Sequence, residues 1–263
     1  MTAWHALFLG LIQGLTEFLP VSSSGHLIFV PKLLGWIDQG VAFDLVMHLG
    51  TLLAVIIYFR VKLWSLVKAI FSQGTEKMAE RKLAWVIALS CIPAAIVGLI
   101  LETNDRNALV VAGNLIFWGL VLGAADWYAQ RNKIEEISDR KSLRSIIIMG
   151  FVQLLALIPG TSRSGITMTA GLFSGLSRTK AAEYSFLMSV PITALAGADA
   201  VYNLTKVGLQ GINFSVLVVG FLSAFIFGMI AIFSVLKIVQ RWSFMPFVVY
   251  RVLIGIMILW WLV

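Results

Sequence analysis

The chain of 263 residues is 59% hydrophobic and only 13% charged, with a mean hydropathy of +0.92, a balance that excludes a soluble globular enzyme. Six membrane spans of about 20 residues fit this length, with room for irregular functional segments but none for a sizeable soluble domain. The net charge of +7 raises nucleic acid as a partner, but the basic residues sort by loop as membrane topology requires, so no nucleic-acid partner is expected.

In chain order, the first apolar run covers 4–19. No Lys or Arg precedes it, and Gln13 and Glu17 interrupt it where a signal peptide would be uniformly apolar, so it is expected to be retained. It ends at Pro20 and the small polar cluster Ser22, Ser23, Ser24 and Gly25, followed by a short apolar stretch. Proline removes a backbone donor and disfavours helix in the residue before it. Non-helical backbone at membrane depth is tolerated only where protein or a wet cavity satisfies it, so this segment reads as a re-entrant helix-loop-helix hairpin. Runs at 43–59, 84–101 and 109–125 then read as three spans. The run 146–158 repeats the earlier pattern, ending at Pro159 with Gly160, Thr161, Ser162, Arg163, Ser164 and Gly165, and reads as a second hairpin. Runs at 183–201, 214–235 and 246–263 complete the chain. The expected fold is therefore an all-α integral membrane protein, with six transmembrane helices plus two re-entrant hairpins. Cys91, the one cysteine, sits in an apolar run and reads as a small buried hydrophobe with no intramolecular disulfide available to it.

The basic residues test this layout. Fifteen Lys and Arg fall in the loops at 60–82, 131–144, 178–180 and 237–241, against Lys32, Arg106 and Lys206 on the other side. The positive-inside rule puts both termini outside the cytoplasm. Trp36, Trp64, Trp127, Trp242 and Trp260 lie near run ends, where interfacial anchoring accounts for them.

Sliding the chain on itself by 140 residues aligns Gly10, Gln13, Leu15, Ser22, Ser24 and Gly25 with Gly150, Gln153, Leu155, Ser162, Ser164 and Gly165. Each half reads as a hairpin plus three spans: 1–130, then a cytoplasmic basic loop at 131–145, then 146–263. A hairpin crosses nothing and three is odd, so the second half is expected to be inverted relative to the first, with the two polar loops meeting near the midplane.

Between them the loops supply a carboxylate (Glu17), hydroxyls (Ser22, Ser23, Ser24, Thr161, Ser162, Ser164 and Thr167), an imidazole (His26) and a guanidinium (Arg163). Charges at membrane depth are expensive and mark function by default. Gly and Ser opening a short helix present unpaired backbone N–H groups at its positive end, which suits a phosphate oxyanion. Arg163 adds a bidentate clamp. Against this, Ser22 and Ser164 read equally as helix caps, Arg163 with Glu17 as a structural ion pair, and His26 as a satisfied core histidine.

The EFLPVSSSGH and PGTSRSGIT segments, together with the length and the run pattern, resemble the bacterial undecaprenyl pyrophosphate phosphatases associated with bacitracin resistance. That resemblance implies hydrolysis of a polyprenyl (C55) diphosphate to the monophosphate carrier reused for peptidoglycan and other wall polymers. It also implies residence in the bacterial cytoplasmic (inner) membrane, a site opening to the outer, periplasmic side, and dependence on a divalent cation, Mg2+ or Ca2+. The family's first loop maps onto Gln13, Glu17, Ser23 and His26, and its second onto Ser162, Arg163, Ser164 and Thr167. This sequence carries Gln13 at a position where the family has Glu or Gln, so it lacks a second carboxylate there. Glu17, Ser23, His26 and Arg163 are the expected catalytic residues. Gln13, Ser22, Ser24, Gly25, Thr161, Ser162, Ser164, Gly165 and Thr167 are the expected substrate-binding residues, and Glu17 with the diphosphate would hold the metal. A homodimer is a further expectation.

Two routes stay open, attack by Ser23 with Glu17 or His26 as base, or attack by metal-activated water with Ser23 as a positioning group. A different class of function, an inverted-repeat transporter or flippase for an anion or the lipid carrier, fits the same broken helices. Elsewhere, His48 reads as a cavity-facing residue behind the loops or, nearly as well, as a plain interhelical hydrogen bond, Asp44 and Glu183 as span-end residues, Asp126 beside Trp127 as interfacial, and Arg251 as snorkelling or paired with Asp199.

Overall fold

The structure is a computed structural model that describes residues 1–100, 107–132, 139–207 and 213–262. Within these residues every regular element is helical.

The first helix, α1 (Ala3–Phe18), starts at a Thr2 cap whose hydroxyl accepts from His5 N at 3.3 Å. It stops where Pro20 forbids continuation, and α2 (Ser23–Leu33) follows after a tight loop. At 16 and 11 residues these helices run about 24 and 16 Å, too short to cross a hydrocarbon core of about 30 Å. The second loop is built the same way. Helix α8 (Asp139–Val152) tightens into a 3-10 turn (Gln153–Leu157) before Pro159, and α9 (Arg163–Phe173) leads away.

Both loops turn on a serine in the left-handed region, Ser22 at φ 72° and Ser162 at φ 74°, a conformation that costs a non-glycine residue about 1–3 kcal/mol. The hydroxyl explains why glycine is not used. Ser22 Oγ accepts from Gly25 N at 3.3 Å and Ser162 Oγ from Gly165 N at 3.1 Å, capping α2 and α9 in the same way. Each capping serine also shares a hydrogen bond with the serine two residues on, Ser24 at 3.3 Å and Ser164 at 3.2 Å.

The other helices are α3 (Val41–Tyr58), α4 (Arg60–Phe71), α5 (Met78–Ser90), α6 (Ile92–Ile100), α7 (Ala108–Arg131), α10 (Arg178–Val207), α11 (Phe214–Arg241) and α12 (Met245–Leu262). Among the described residues, four segments are long and apolar enough to cross a membrane: Val41–Tyr58, Thr75–Ile100, Ala108–Arg131 and Phe214–Arg241. The second is interrupted at Cys91, because Pro93 offers no N–H to the preceding turn. The expected span at 183–201 lies within α10, which opens on Arg178 and carries Pro191. That at 246–263 corresponds to α12, of 18 residues. The segment 60–71, expected only as basic loop, is helical.

The short helices pack inside the longer ones: α1 runs along α11 and touches α2 and α3, while α8 lies against α5 and α9. Two glycines permit these crossings. A Cβ on Gly10 would stand 2.5 Å from the Gly220 carbonyl oxygen of α11, and one on Gly150 would stand 2.3 Å from the Ser90 carbonyl oxygen of α5. Large apolar side chains such as Leu99, Phe117, Ile226, Phe233 and Trp260 face outward, as expected of a surface whose solvent is lipid.

Candidate active site

The two loops meet. Glu17, the penultimate residue of α1, accepts from Ser23 Oγ at 2.7 Å and from Gln13 Nε2 at 3.0 Å through Oε2. Its other oxygen, Oε1, accepts from Arg163 Nη2 at 2.8 Å. The Arg163 Nη1 group donates to the Ser185 carbonyl of α10 at 3.1 Å, so the guanidinium is fixed between a carboxylate and a backbone oxygen. Across the gap between loops, Ser164 Oγ donates to the Leu19 carbonyl at 2.9 Å.

These groups line a cavity of about 290 Å³. Glu17, Ser23 and Ser24 form one wall and Ser162, Arg163 and Ser164 another, with His48 of α3, Gln153 of the 3-10 turn and Thr193 of α10 completing the polar lining. The apolar remainder includes Leu45, Ala94, Leu157 and Ile192. The first turns of α2 and α9 both border this space. Their first N–H groups have no acceptor within their own helices, and the helix dipoles add partial positive charge.

The remaining expected residues build the loops rather than the cavity wall. Thr167 Oγ1 is held by Arg163 O at 2.8 Å and Ser185 Oγ at 2.8 Å, beneath the first turn of α9. Gly25 and Gly165 give their amides to the serine caps, Thr161 is fully buried, and Gln13 reaches the site through Glu17. His26 turns away from the cavity: Nδ1 lies 2.7 Å from Ser22 O and Nε2 lies 2.7 Å from Tyr250 Oη of α12. A carbonyl only accepts, so Nδ1 carries the hydrogen. His48 is the imidazole that faces the carboxylate, with Nε2 3.6 Å from Glu17 Oε2 and Nδ1 donating to Asp44 O at 2.7 Å.

Arg251 neither snorkels nor reaches a carboxylate among the described residues; the Asp199 side chain lies outside them. It is 0% exposed. Its guanidinium donates to Pro20 O of the first loop at 3.1 Å, to Gly160 O at 3.1 Å and Thr161 O at 2.9 Å of the second, and to Leu115 O and Asn114 O of α7, each at 3.2 Å. Gly165 leaves the space, since a Cβ there would stand 2.7 Å from Arg251 Nη1. Sequence reasoning missed this role. The available signal was an arginine inside an apolar run with no carboxylate at helical spacing. Asp126 is buried within the protein. It is 1% exposed and takes Arg178 in a two-point pair at 2.5 and 3.1 Å.

Comparison with known proteins settles the lineage. A family model described as bacitracin resistance protein BacA matches residues 6–257. The chain belongs to the BacA family. Among its curated relatives, the undecaprenyl-diphosphatase of Hahella chejuensis is 45% identical over 268 residues, covering 100% of this chain and 99% of that one. That of Alteromonas mediterranea is 43% identical over 266 residues, 99% and 98% of the two chains. That of Colwellia psychrerythraea is 41% identical over 272 residues and all of both chains. The BacA match takes in both loops and Arg251, so the whole constellation lies within the family's shared extent.

Proposed function

We infer that the protein is a membrane phosphatase that hydrolyses undecaprenyl diphosphate to undecaprenyl phosphate and inorganic phosphate. The observation that carries this reading is the chain Ser23 Oγ–H to Glu17 to Arg163 on the wall of one cavity, within a chain aligned end to end with relatives named undecaprenyl-diphosphatase. Transport alone calls for an arginine clamp but not for a hydroxyl hydrogen-bonded to a carboxylate.

In the mechanism we favour, Ser23 attacks the terminal phosphorus while Glu17 Oε2 takes its proton. Arg163 and the first-turn amides of α2 and α9 stabilise the charge on the phosphoryl oxygens. The lipid monophosphate leaves, and water then releases phosphate from the serine. His48 Nε2 lies 3.6 Å from the same Glu17 oxygen that Ser23 donates to and is placed to hold a proton there. His26 keeps the first loop in shape through Ser22 O and Tyr250.

A divalent cation fits the site only with the substrate's help. Among the described residues no group of three His, Cys, Asp or Glu could cage one. Glu17 would be its protein ligand and the diphosphate would supply further oxygens, as is usual for Mg2+. When bound it would neutralise diphosphate charge.

The architecture behind this reading is six spans, with α10 and α12 joining the four apolar segments, plus two re-entrant hairpins, the halves 1–130 and 146–263 being related by inversion. Matching serine turns, matching glycine crossings and the charge bias of the loops support it. The protein resides in the bacterial inner membrane with the cavity opening outward. The decisive assay is phosphate release from undecaprenyl diphosphate by purified protein, with and without chelator. Release by wild type that chelator suppresses and Mg2+ or Ca2+ restores is the expected result. No release with divalent ion supplied would refute the phosphatase.

A further inference from the structure

Gln153 opens the 3-10 turn that leads into the second loop, is 2% exposed, and lines the cavity that holds Glu17, Ser23 and Arg163. Neither its Nε2 nor its Oε1 has an oxygen or nitrogen partner among the described residues. The neighbouring Cys91 sulfur, a weak hydrogen-bonding group, lies beside the amide and also donates to the Met188 carbonyl at 3.5 Å. A buried amide left unpaired is a net cost to the fold, so it persists where a ligand completes it.

The corresponding position in the first half defines what is missing. Gln13, 140 residues earlier, donates its Nε2 to the Glu17 carboxylate at 3.0 Å. The residue 140 positions after Glu17 is Leu157, so Gln153 keeps the amide but has no carboxylate to receive it. Its amide is therefore buried in the wall of the cavity without the carboxylate that its counterpart has, in a wall shared with a guanidinium and serine hydroxyls. An anionic oxygen brought by the substrate is the acceptor that this set of donors fits.

We propose that Gln153 is a substrate-binding residue whose side-chain N–H groups donate to non-bridging oxygens of the lipid diphosphate, alongside Arg163. This rests on the phosphatase reading of the same cavity. A neutral amide suits the place: it adds hydrogen bonds to the diphosphate without competing with Arg163 for Glu17, as a lysine would.

The test uses full-length protein in detergent, with Gln153→Leu, Gln153→Glu and, as control, Arg163→Ala. Each is assayed for kcat and KM on undecaprenyl diphosphate and for thermal stabilisation by inorganic diphosphate. Gln153→Leu is expected to raise KM at least tenfold, with a smaller change in kcat. Its melting temperature should equal or exceed that of wild type, because the unpaired amide is gone, and stabilisation by inorganic diphosphate should be lost. Gln153→Glu should lose at least a hundredfold in kcat/KM by repelling the anion. Wild-type KM in Gln153→Leu overturns the proposal. So does a lowered melting temperature in Gln153→Leu combined with wild-type KM in Gln153→Glu, which would mark a structural residue. An inactive wild type, or an Arg163→Ala variant as active as wild type, would instead defeat the phosphatase reading of the cavity.

Discussion

Glu17 is the residue on which the site turns, because three of its neighbours donate or lean toward its two oxygens: Ser23, Arg163 and Gln13, with His48 just beyond. Glu17→Gln keeps the shape but removes the proton acceptor, so kcat should fall about 10²–10⁴-fold while the protein stays folded; near-normal turnover would argue for a base elsewhere. Arg163→Lys preserves charge, yet an ammonium cannot reproduce the planar fork that spans Glu17 Oε1 and Ser185 O. It should lose activity nearly as severely as Arg163→Ala, as steady-state phosphate release would reveal. The members of this constellation were legible because charged and hydroxyl residues stand out in apolar sequence. Arg251 was not, since its partners are backbone carbonyls, which no sequence pattern marks. The pairing of Asp126 was not legible either, since its partner Arg178 lies 52 residues away in the chain. His26 and His48 illustrate the same limit. Both are near the site in sequence or by helix register, but only the fold decides which imidazole faces Glu17.

At the scale of elements, prolines and hydrophobic periodicity located the helix breaks well. Pro20 and Pro159 end helices as expected, and the serine clusters open new ones at Ser23 and Arg163. The start of α8 at Asp139 precedes the apolar run at 146, because its first turns are polar and carry no hydropathy signal. The break at Cys91 was legible in principle from Pro93 but was hidden by continuous hydropathy. Helix crossings are set by Gly10 and Gly150, whose absent side chains let α1 and α8 approach α11 and α5 to backbone contact. Gly150→Ala would drive a methyl into the Ser90 carbonyl, and overpacking of that kind costs about 1–3 kcal/mol. A drop in melting temperature of the detergent-purified variant is expected, larger than for Gly113→Ala, where a Cβ meets open space. Equal melting temperatures for the two would show that the crossing relaxes freely.

For the whole molecule, the excess of basic residues on one side was countable from the sequence, and it predicts which loops can be reached from outside the cell. Cys91 is buried, so single cysteines can be introduced against a quiet background. With an impermeant thiol reagent on intact cells, Leu34→Cys should label and Gly74→Cys should not. Labelling of Gly74→Cys alone would invert the proposed orientation.

Arg251 also fixes an order of events in biogenesis. A membrane protein is made and inserted from its N-terminus, so both loops emerge long before α12, and until α12 docks the carbonyls of Pro20, Gly160 and Thr161 lack the cation that gathers them. The nascent chain therefore holds every residue of the cavity wall while the catalytic geometry is still unassembled. A chain ending at Arg241 should insert but release no phosphate, and co-expression of the missing segment 242–263 as a separate peptide should restore turnover. On this reading α12 acts as a molecular latch, delaying hydrolysis until it has been made and docked.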